Sequence, residues 1–152
     1  MDAILNNCNL VLTLPNDTIL INKKDAYKAL QLSKESTNHC LLVFSEKDKK
    51  CITSIYYIGE AQTKEEYDDI IQIFAEQNDS IGIRLIDKKN ISSPDGRSLN
   101  ILKFTNRRNR IVVIFSRMNN KIIMANTNSN QENFEEAIKF TTEIMKTLAP
   151  VE

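Results

Sequence analysis

The runs Ile111-Val112-Val113-Ile114-Phe115 and Ile122-Ile123-Met124-Ala125 limit what this chain can fold into, because each is apolar at every successive position. Neighbouring side chains of a strand point to opposite faces of its sheet, so strands of this kind must be covered on both sides. A sheet with one solvated face is thereby excluded. The cover has to come from elsewhere in the sequence.

Two amphipathic helices can supply it. From Thr63 to about Gln77, the residues Tyr67, Ile70, Ile71 and Phe74 share one helical face. Thr63 with Glu66 reads as a capping box, and Glu65, Glu66, Asp68 and Asp69 complement the positive end of the helix dipole. A second helix is predicted near the end of the chain, with Ser129 and Glu132 as its box. Phe134, Ala137, Ile138, Thr141, Ile144 and Leu148 lie on its apolar face, and Pro150 lies past its end.

Between the helices, Ile81 to Asp87, Ser98 to Thr105, Arg110 to Ser116 and Lys121 to Ala125 read as an antiparallel meander. Ser93-Pro94-Asp95-Gly96, Asn106 to Asn109 and Met118-Asn119-Asn120 supply the turn chemistry that hairpins need. The change of phase between Leu99/Ile101 and Leu102/Phe104 predicts a β-bulge. Further upstream, Leu10, Leu12 and Leu14 alternate before Pro15, Thr18 to Ile21 reads as a short strand, and Asp25 to Leu32 as a short helix. Cys40 to Ser45 and Cys51 to Ile58 form a hairpin around the charged turn from Glu46 to Lys50. The expectation is a single α+β domain over residues 1–152, an α/β/α sandwich whose mostly antiparallel sheet of about six strands is flanked by helices.

A net charge of zero conceals segregation. Residues 60–79 carry seven acids against one lysine, whereas residues 84–121 carry ten basic residues against two acids, including all six arginines of the chain. In the expected meander, Lys88, Lys89, Arg97, Arg117 and Lys121 gather at one end of the sheet, and Arg107, Arg108 and Arg110 at the other. These eight residues form the candidate partner-binding set, suited to an acidic protein surface. The bland alternative is that hairpin turns are solvated and some arginines pair with the acidic helix. Overall neutrality and the lack of tryptophan or of any nucleic-acid-binding signature argue against nucleic acid.

Catalytic and cofactor chemistry finds little support. His39 stands beside Cys40, but adjacent strand residues face opposite ways and do not make a nucleophile–base pair. Cys8, Cys40 and Cys51, with that one histidine, lack the close ligand pairs of a zinc site and are read as reduced thiols, Cys40 and Cys51 as small core residues. Gly59, Gly82 and Gly96 are too scattered for a phosphate-cradling loop. The acid pairs Glu65-Glu66, Asp68-Asp69 and Glu135-Glu136 lie opposite apolar helix stripes and read as solvated surface. Tyr56, Tyr57 and Tyr67 suit either a pocket lining or packing between sheet and helix. No cofactor or metal is expected. The amino-terminal residues Met1 to Cys8 lack a basic secretory n-region and no apolar run is long enough to span a bilayer, so the expected setting is the cytoplasm, away from membranes.

The succession of Leu12-Thr13-Leu14-Pro15, the Thr63–Gln77 helix, the four-strand meander and the Ser129–Leu148 helix resembles the PsbP/DcrB-like group. The resemblance implies an α/β/α sandwich used as a non-enzymatic adaptor, accessory subunit or chaperone. It rests on element order and brings no functional residue with it. The start of the chain departs from the exported branches of the group.

The leading functional expectation is a non-enzymatic protein-binding module, a chaperone, adaptor or immunity-type partner that uses a sheet face or the Arg-bearing hairpins. Opposite charge on different elements also permits a homodimer. The alternative is a small-molecule or lipid carrier with an apolar cavity between sheet and helices. An enzyme of unrecognised type comes third.

Overall fold

A computed structural model describes residues 1–22, 25, 39–48, 51–80, 82–107 and 109–152, with the side chains of residues 78–80 left aside. The strands are β1 (Asp2–Leu5), β2 (Leu10–Thr13), β3 (Ile19–Leu20), β4 (Cys40–Ser45), β5 (Ile52–Glu60), β6 (Arg84–Ser92), β7 (Ser98–Asn106), β8 (Asn109–Met118), β9 (Lys121–Asn130) and β10 (Ala149–Pro150). The helices are α1 (Lys64–Ser80), between β5 and β6, and α2 (Phe134–Lys146), between β9 and β10. The short helix expected from Asp25 to Leu32 lies, apart from Asp25, outside the described residues.

Seven strands, not six, build the main sheet, in the order β3-β4-β5-β9-β8-β7-β6. Every neighbouring pair is antiparallel. β5 and β6 consequently run parallel, and α1 carries the chain over β9, β8 and β7 to the far edge. One face packs on α1 through Val113, Phe115, Leu102, Phe104, Ile122 and Met124. The other presents Val112, Ile114, Ile123, Ala125, Leu99 and Ile101 to α2 and to Leu5, Leu10, Leu12 and Leu14. The two-faced strands are thus covered on both sides, as their composition requires. Burying a Leu or Ile side chain contributes on the order of 1.5–3 kcal/mol, so both layers are substantial.

A second sheet, of order β1-β2-β10, was not foreseen. Ala149 and Pro150 pair with Val11 and Leu10, so Pro150 does not simply end the last helix; it enters an edge strand, where its missing N–H costs nothing. The Thr13 N–H donates to Thr147 Oγ1 at 2.9 Å, and the Met1 ammonium to the Leu14 carbonyl at 3.0 Å, tying both termini to this layer.

Three boundaries differ from expectation for physical reasons. β6 runs on through Ser92, because an edge strand tolerates the polar series Asp87-Lys88-Lys89-Asn90 that a central one would not. β9 continues to Asn130, since its polar residues are satisfied from distant elements. Thr141 Oγ1 donates to the Ala137 carbonyl at 2.7 Å, which leaves Thr127 Oγ1 to donate to Thr141 at 2.6 Å and Thr53 Oγ1 to donate to Thr127 at 2.7 Å. Ser129 is therefore a buried strand residue and not a helix cap; α2 starts after Asn133, whose N–H donates to Asn130 Oδ1 at 2.9 Å. Finally, β7 pairs with β8 without a break. The phase change at Leu99/Ile101 and Leu102/Phe104 reflects burial on opposite faces, and the bulge lies in β6 between Leu85 and Asp87.

Turn chemistry is as expected at two hairpins. Asn119 and Asn120 adopt φ of 53° and 65° between paired Met118 and Lys121, and Gly96 adopts 83° with its N–H donating to the Ser93 carbonyl at 2.9 Å.

Candidate functional site

α1 packs on one face of the sheet toward its β6 side, and among the described residues the outer hydrogen-bonding edge of β6 has no strand partner. Tyr67, Ile71 and Ala75 are buried, and Phe74 stands edge-on to Phe104 and Phe115 with centroids 6.2 and 5.2 Å away. The helix starts where the capping pair placed it. Thr63 Oγ1 accepts from the Glu66 N–H at 3.2 Å, while the Glu66 carboxylate accepts from the Gln62 N–H at 2.8 Å, one residue before the usual box partner. On β6, Lys88 and Asn90 lie opposite Leu102 and Asn100, and are polar where the neighbouring strand is buried.

The result is a mostly polar cleft of about 560 Å³ between α1 and the β6–β7 edge, lined by Lys64, Asp68, Asp69, Gln72, Lys88, Lys89, Asn90 and Asn100, with Ile71 as its apolar member. A narrower pocket of about 220 Å³ adjoins it at the start of α1, lined by Lys64, Tyr67, Asp68, Arg97, Ser98 and Arg117. Lys64 and Asp68 belong to both and pair at 2.7 Å. In the pocket wall the Arg117 guanidinium lies 6.0 Å from the centre of the Tyr67 ring and donates to the Ala61 carbonyl at 3.2 Å. Asn100 Nδ2 donates to the Tyr67 hydroxyl at 3.0 Å. Burial pushes the Tyr67 phenol up to about 12, although the bond from Asn100 and the cations Arg117 and Arg97 pull the other way. At neutral pH the pocket therefore offers a neutral hydroxyl beside a guanidinium, an arrangement suited to a carboxylate.

The eight candidate residues separate into groups. Arg97 has a side chain only 8% exposed and spends its donors internally: Nε on Asp95 at 3.4 Å, one terminal nitrogen on Ser116, the other on the Leu148 and Met145 carbonyls at 3.3 and 3.5 Å. It caps the carboxyl end of α2, where a cation is favoured. Hydrogen bonding from Ser93, ahead of the charge of Arg97, holds the Asp95 carboxyl below its usual range. Lys121 donates to the Cys8 carbonyl at 2.7 Å. Arg117 is held as described, and Arg110 donates to Thr105 Oγ1 at 2.7 Å. Arg107 is exposed in the β7–β8 turn with φ of 48°, and Arg108 lies outside the described residues. Lys88 and Lys89 are exposed, but in mid-strand and not at a sheet end, because β6 is longer than expected.

Four of the eight, Lys88, Lys89, Arg97 and Arg117, line the continuous cleft and pocket. Lys64, Ser98 and Asn100 were missed. The one available signal was Asn100, a polar residue inside the apolar run Leu99 to Leu102. His39 is exposed and lies just before β4, outside the strand expected to carry it, while Cys40 is buried at the first strand position. All three cysteines are buried thiols, and burial raises that of Cys8 against the opposing pull of Lys121. Among the described residues no helix is long and apolar enough to cross a membrane.

No protein-family model matches the sequence, and no curated protein matches it. Solved structures do resemble the fold. The solution structure of cyanobacterial PsbP (CyanoP) from Synechocystis sp. PCC 6803 is 11% identical with a TM-score of 0.67, over 99% of this chain and 91% of that one. LpqN, involved in cell envelope biogenesis of Mycobacterium tuberculosis, is 10% identical with a TM-score of 0.60, over 98% of this chain and 88% of that one. A protein of unknown function from Pseudomonas aeruginosa is 14% identical with a TM-score of 0.52, over 66% of this chain and 72% of that one. The chain has the PsbP-like fold its element order suggested. At these identities the likeness concerns the fold alone.

Proposed function

We propose that the chain is a non-enzymatic protein-binding module that takes an extended, acidic segment of a partner protein alongside β6. The observation that carries this reading is the character of that edge. β6 pairs with β7 on one side, and among the described residues no strand pairs on the other, so alternate backbone groups of this nine-residue strand face outward next to a cleft that holds Lys88 and Lys89, with Lys64 paired to Asp68, and Asp69 beside it. Adding a strand satisfies those groups, and the flanking lysines select for acid. Both sheet faces are covered by α1, α2 and the small sheet, so a partner strand can reach the sheet itself only at its edge. Edge lysines also guard against indiscriminate pairing, so the same residues favour an acidic strand and repel a basic one.

Buried thiols fit a reducing compartment, which keeps the cytoplasm as the proposed setting.

The test is nuclear magnetic resonance with an extended peptide alternating Glu and Val. Amides from Arg84 to Ser92 should shift and gain protection from hydrogen exchange, and Lys88→Glu/Lys89→Glu should abolish the effect. Protection spread over α2, or a response identical with an alternating Lys and Val peptide, would sink the proposal.

A further inference from the structure

The opposite layer carries a groove with an acidic rim. Glu136, Phe140, Glu143 and Thr147 form one stripe along the side of α2, and Thr13, Leu14 and Pro15, with Glu46 beyond β4, form the facing wall of a gap of about 560 Å³. Buried Leu14 and Ile144 make its floor. Phe140, half-buried and edge-on to Phe44 with centroids 6.1 Å apart, also lines a neighbouring cleft of about 610 Å³ together with Pro15, Asp17, Glu46, Lys47 and Asp48. The two share Pro15, Glu46 and Phe140, and their described lining residues include five acids, Asp17, Glu46, Asp48, Glu136 and Glu143, against two bases, Lys47 and Lys139; Glu143 is also paired with Lys146 at 3.3 Å.

We infer that this surface docks a basic amphipathic segment of a partner protein. An apolar floor with an acidic rim is the complement of a segment that carries Leu-type residues on one side and Lys or Arg on the other. The groove runs beside a helix, as a helix-in-groove site does. Pro15 fixes one wall without conformational freedom, and Phe140 supplies a half-buried aromatic anchor, the side-chain type that dominates contact energetics. The site lies on the α2 side of the sheet and the β6 cleft on the α1 side, so docking here neither blocks nor requires a strand at β6.

The experiment is fluorescence anisotropy on the full chain with a labelled Leu/Lys peptide patterned as an amphipathic helix, against a scrambled peptide of the same composition. The patterned peptide should bind at least about tenfold more tightly than the scrambled one and weaken as salt is raised. Glu136→Lys/Glu143→Lys, at exposed positions that leave the core alone, should weaken it by about tenfold, whereas Lys88→Glu/Lys89→Glu should not weaken it at all. Phe140→Ala should also weaken it, with circular dichroism confirming the fold; should that variant unfold, the double reversal and the salt series still decide. Equal binding of the scrambled peptide, or indifference to the double reversal, overturns the proposal. So does light scattering that shows a dimer which the double reversal dissolves, since the groove would then serve a second copy of this chain.

Discussion

Arg97, Arg117 and Lys121 at one end of the main sheet contrast with Arg107, Lys88 and Lys89 at the opposite hairpin and along the β6 edge. All six come from one basic stretch, and nothing in their identity separates them. The first three each donate to backbone carbonyls, those of Met145, Leu148, Ala61 and Cys8, where α2 ends, α1 is about to begin and the β1–β2 turn closes. These cations fasten the helical and small-sheet layers to the main sheet. Arg107, Lys88 and Lys89 stay exposed, beside solvent or the polar cleft. A charged stretch thus divides into an architectural part and an accessible part, and the division follows the positions of acceptors.

The contrast is broken most directly at Arg97. Arg97→Ala leaves the fully buried Ser116 hydroxyl and the last α2 carbonyls without their donor, and should cost about 2–4 kcal/mol in urea unfolding. Arg97→Lys should recover less than half, because an ammonium cannot span the same acceptors. A loss below about 0.5 kcal/mol would place Arg97 with the accessible group.

Arg117→Ala should cost about 1 kcal/mol through the Ala61 bond and the Tyr67 ring contact. Ultraviolet titration sharpens the point. Tyr67 should ionise near pH 12 in the native protein. Because the folded state holds this proton more tightly than the unfolded chain, Tyr67 leaves stability flat below about pH 10 and lowers it between there and about pH 12. In Arg117→Ala the titration should move further up, since a cation that favours the phenolate is gone.

At the accessible end the expected sign reverses. Arg107→Gly should stabilise by about 0.5 kcal/mol, as glycine adopts the left-handed φ of 48° without penalty. Lys88→Ala/Lys89→Ala should leave unfolding within about 0.5 kcal/mol of the parent. A stability loss comparable with that of Arg97→Ala would make the edge lysines architectural and remove the motive for a partner there.

How well the chain could be read depended on where its bonds go. α1 was legible because its periodicity, its Thr63–Glu66 pair and its acidic first turn all act within a few residues. The cores of β7, β8 and β9 were legible because burial on two faces writes continuous apolar runs. The end of β9 was not, since Thr127 counts as polar until Thr53 and Thr141 are beside it. The small sheet was illegible for the same reason: Leu10, Leu12 and Leu14 show the alternation of β2, but its partners β1 and β10 come from opposite ends of the chain and are too short to show a period. In the candidate site, Lys88 and Lys89 stood out by charge and Tyr67 as a tyrosine suited to a pocket wall, whereas the role of Asn100 appears only where α1 meets β7 and its amide reaches the Tyr67 hydroxyl.

The sequence by itself determined a single sheet buried on two faces, the two amphipathic helices that cover it, and the concentration of arginine within the meander. Tertiary structure alone decided which of those cations are consumed and which remain available. The reason is physical: their acceptors are mostly main-chain carbonyls at the ends of elements, and every residue carries such a carbonyl, so no side chain in the sequence announces where a cation will be bound.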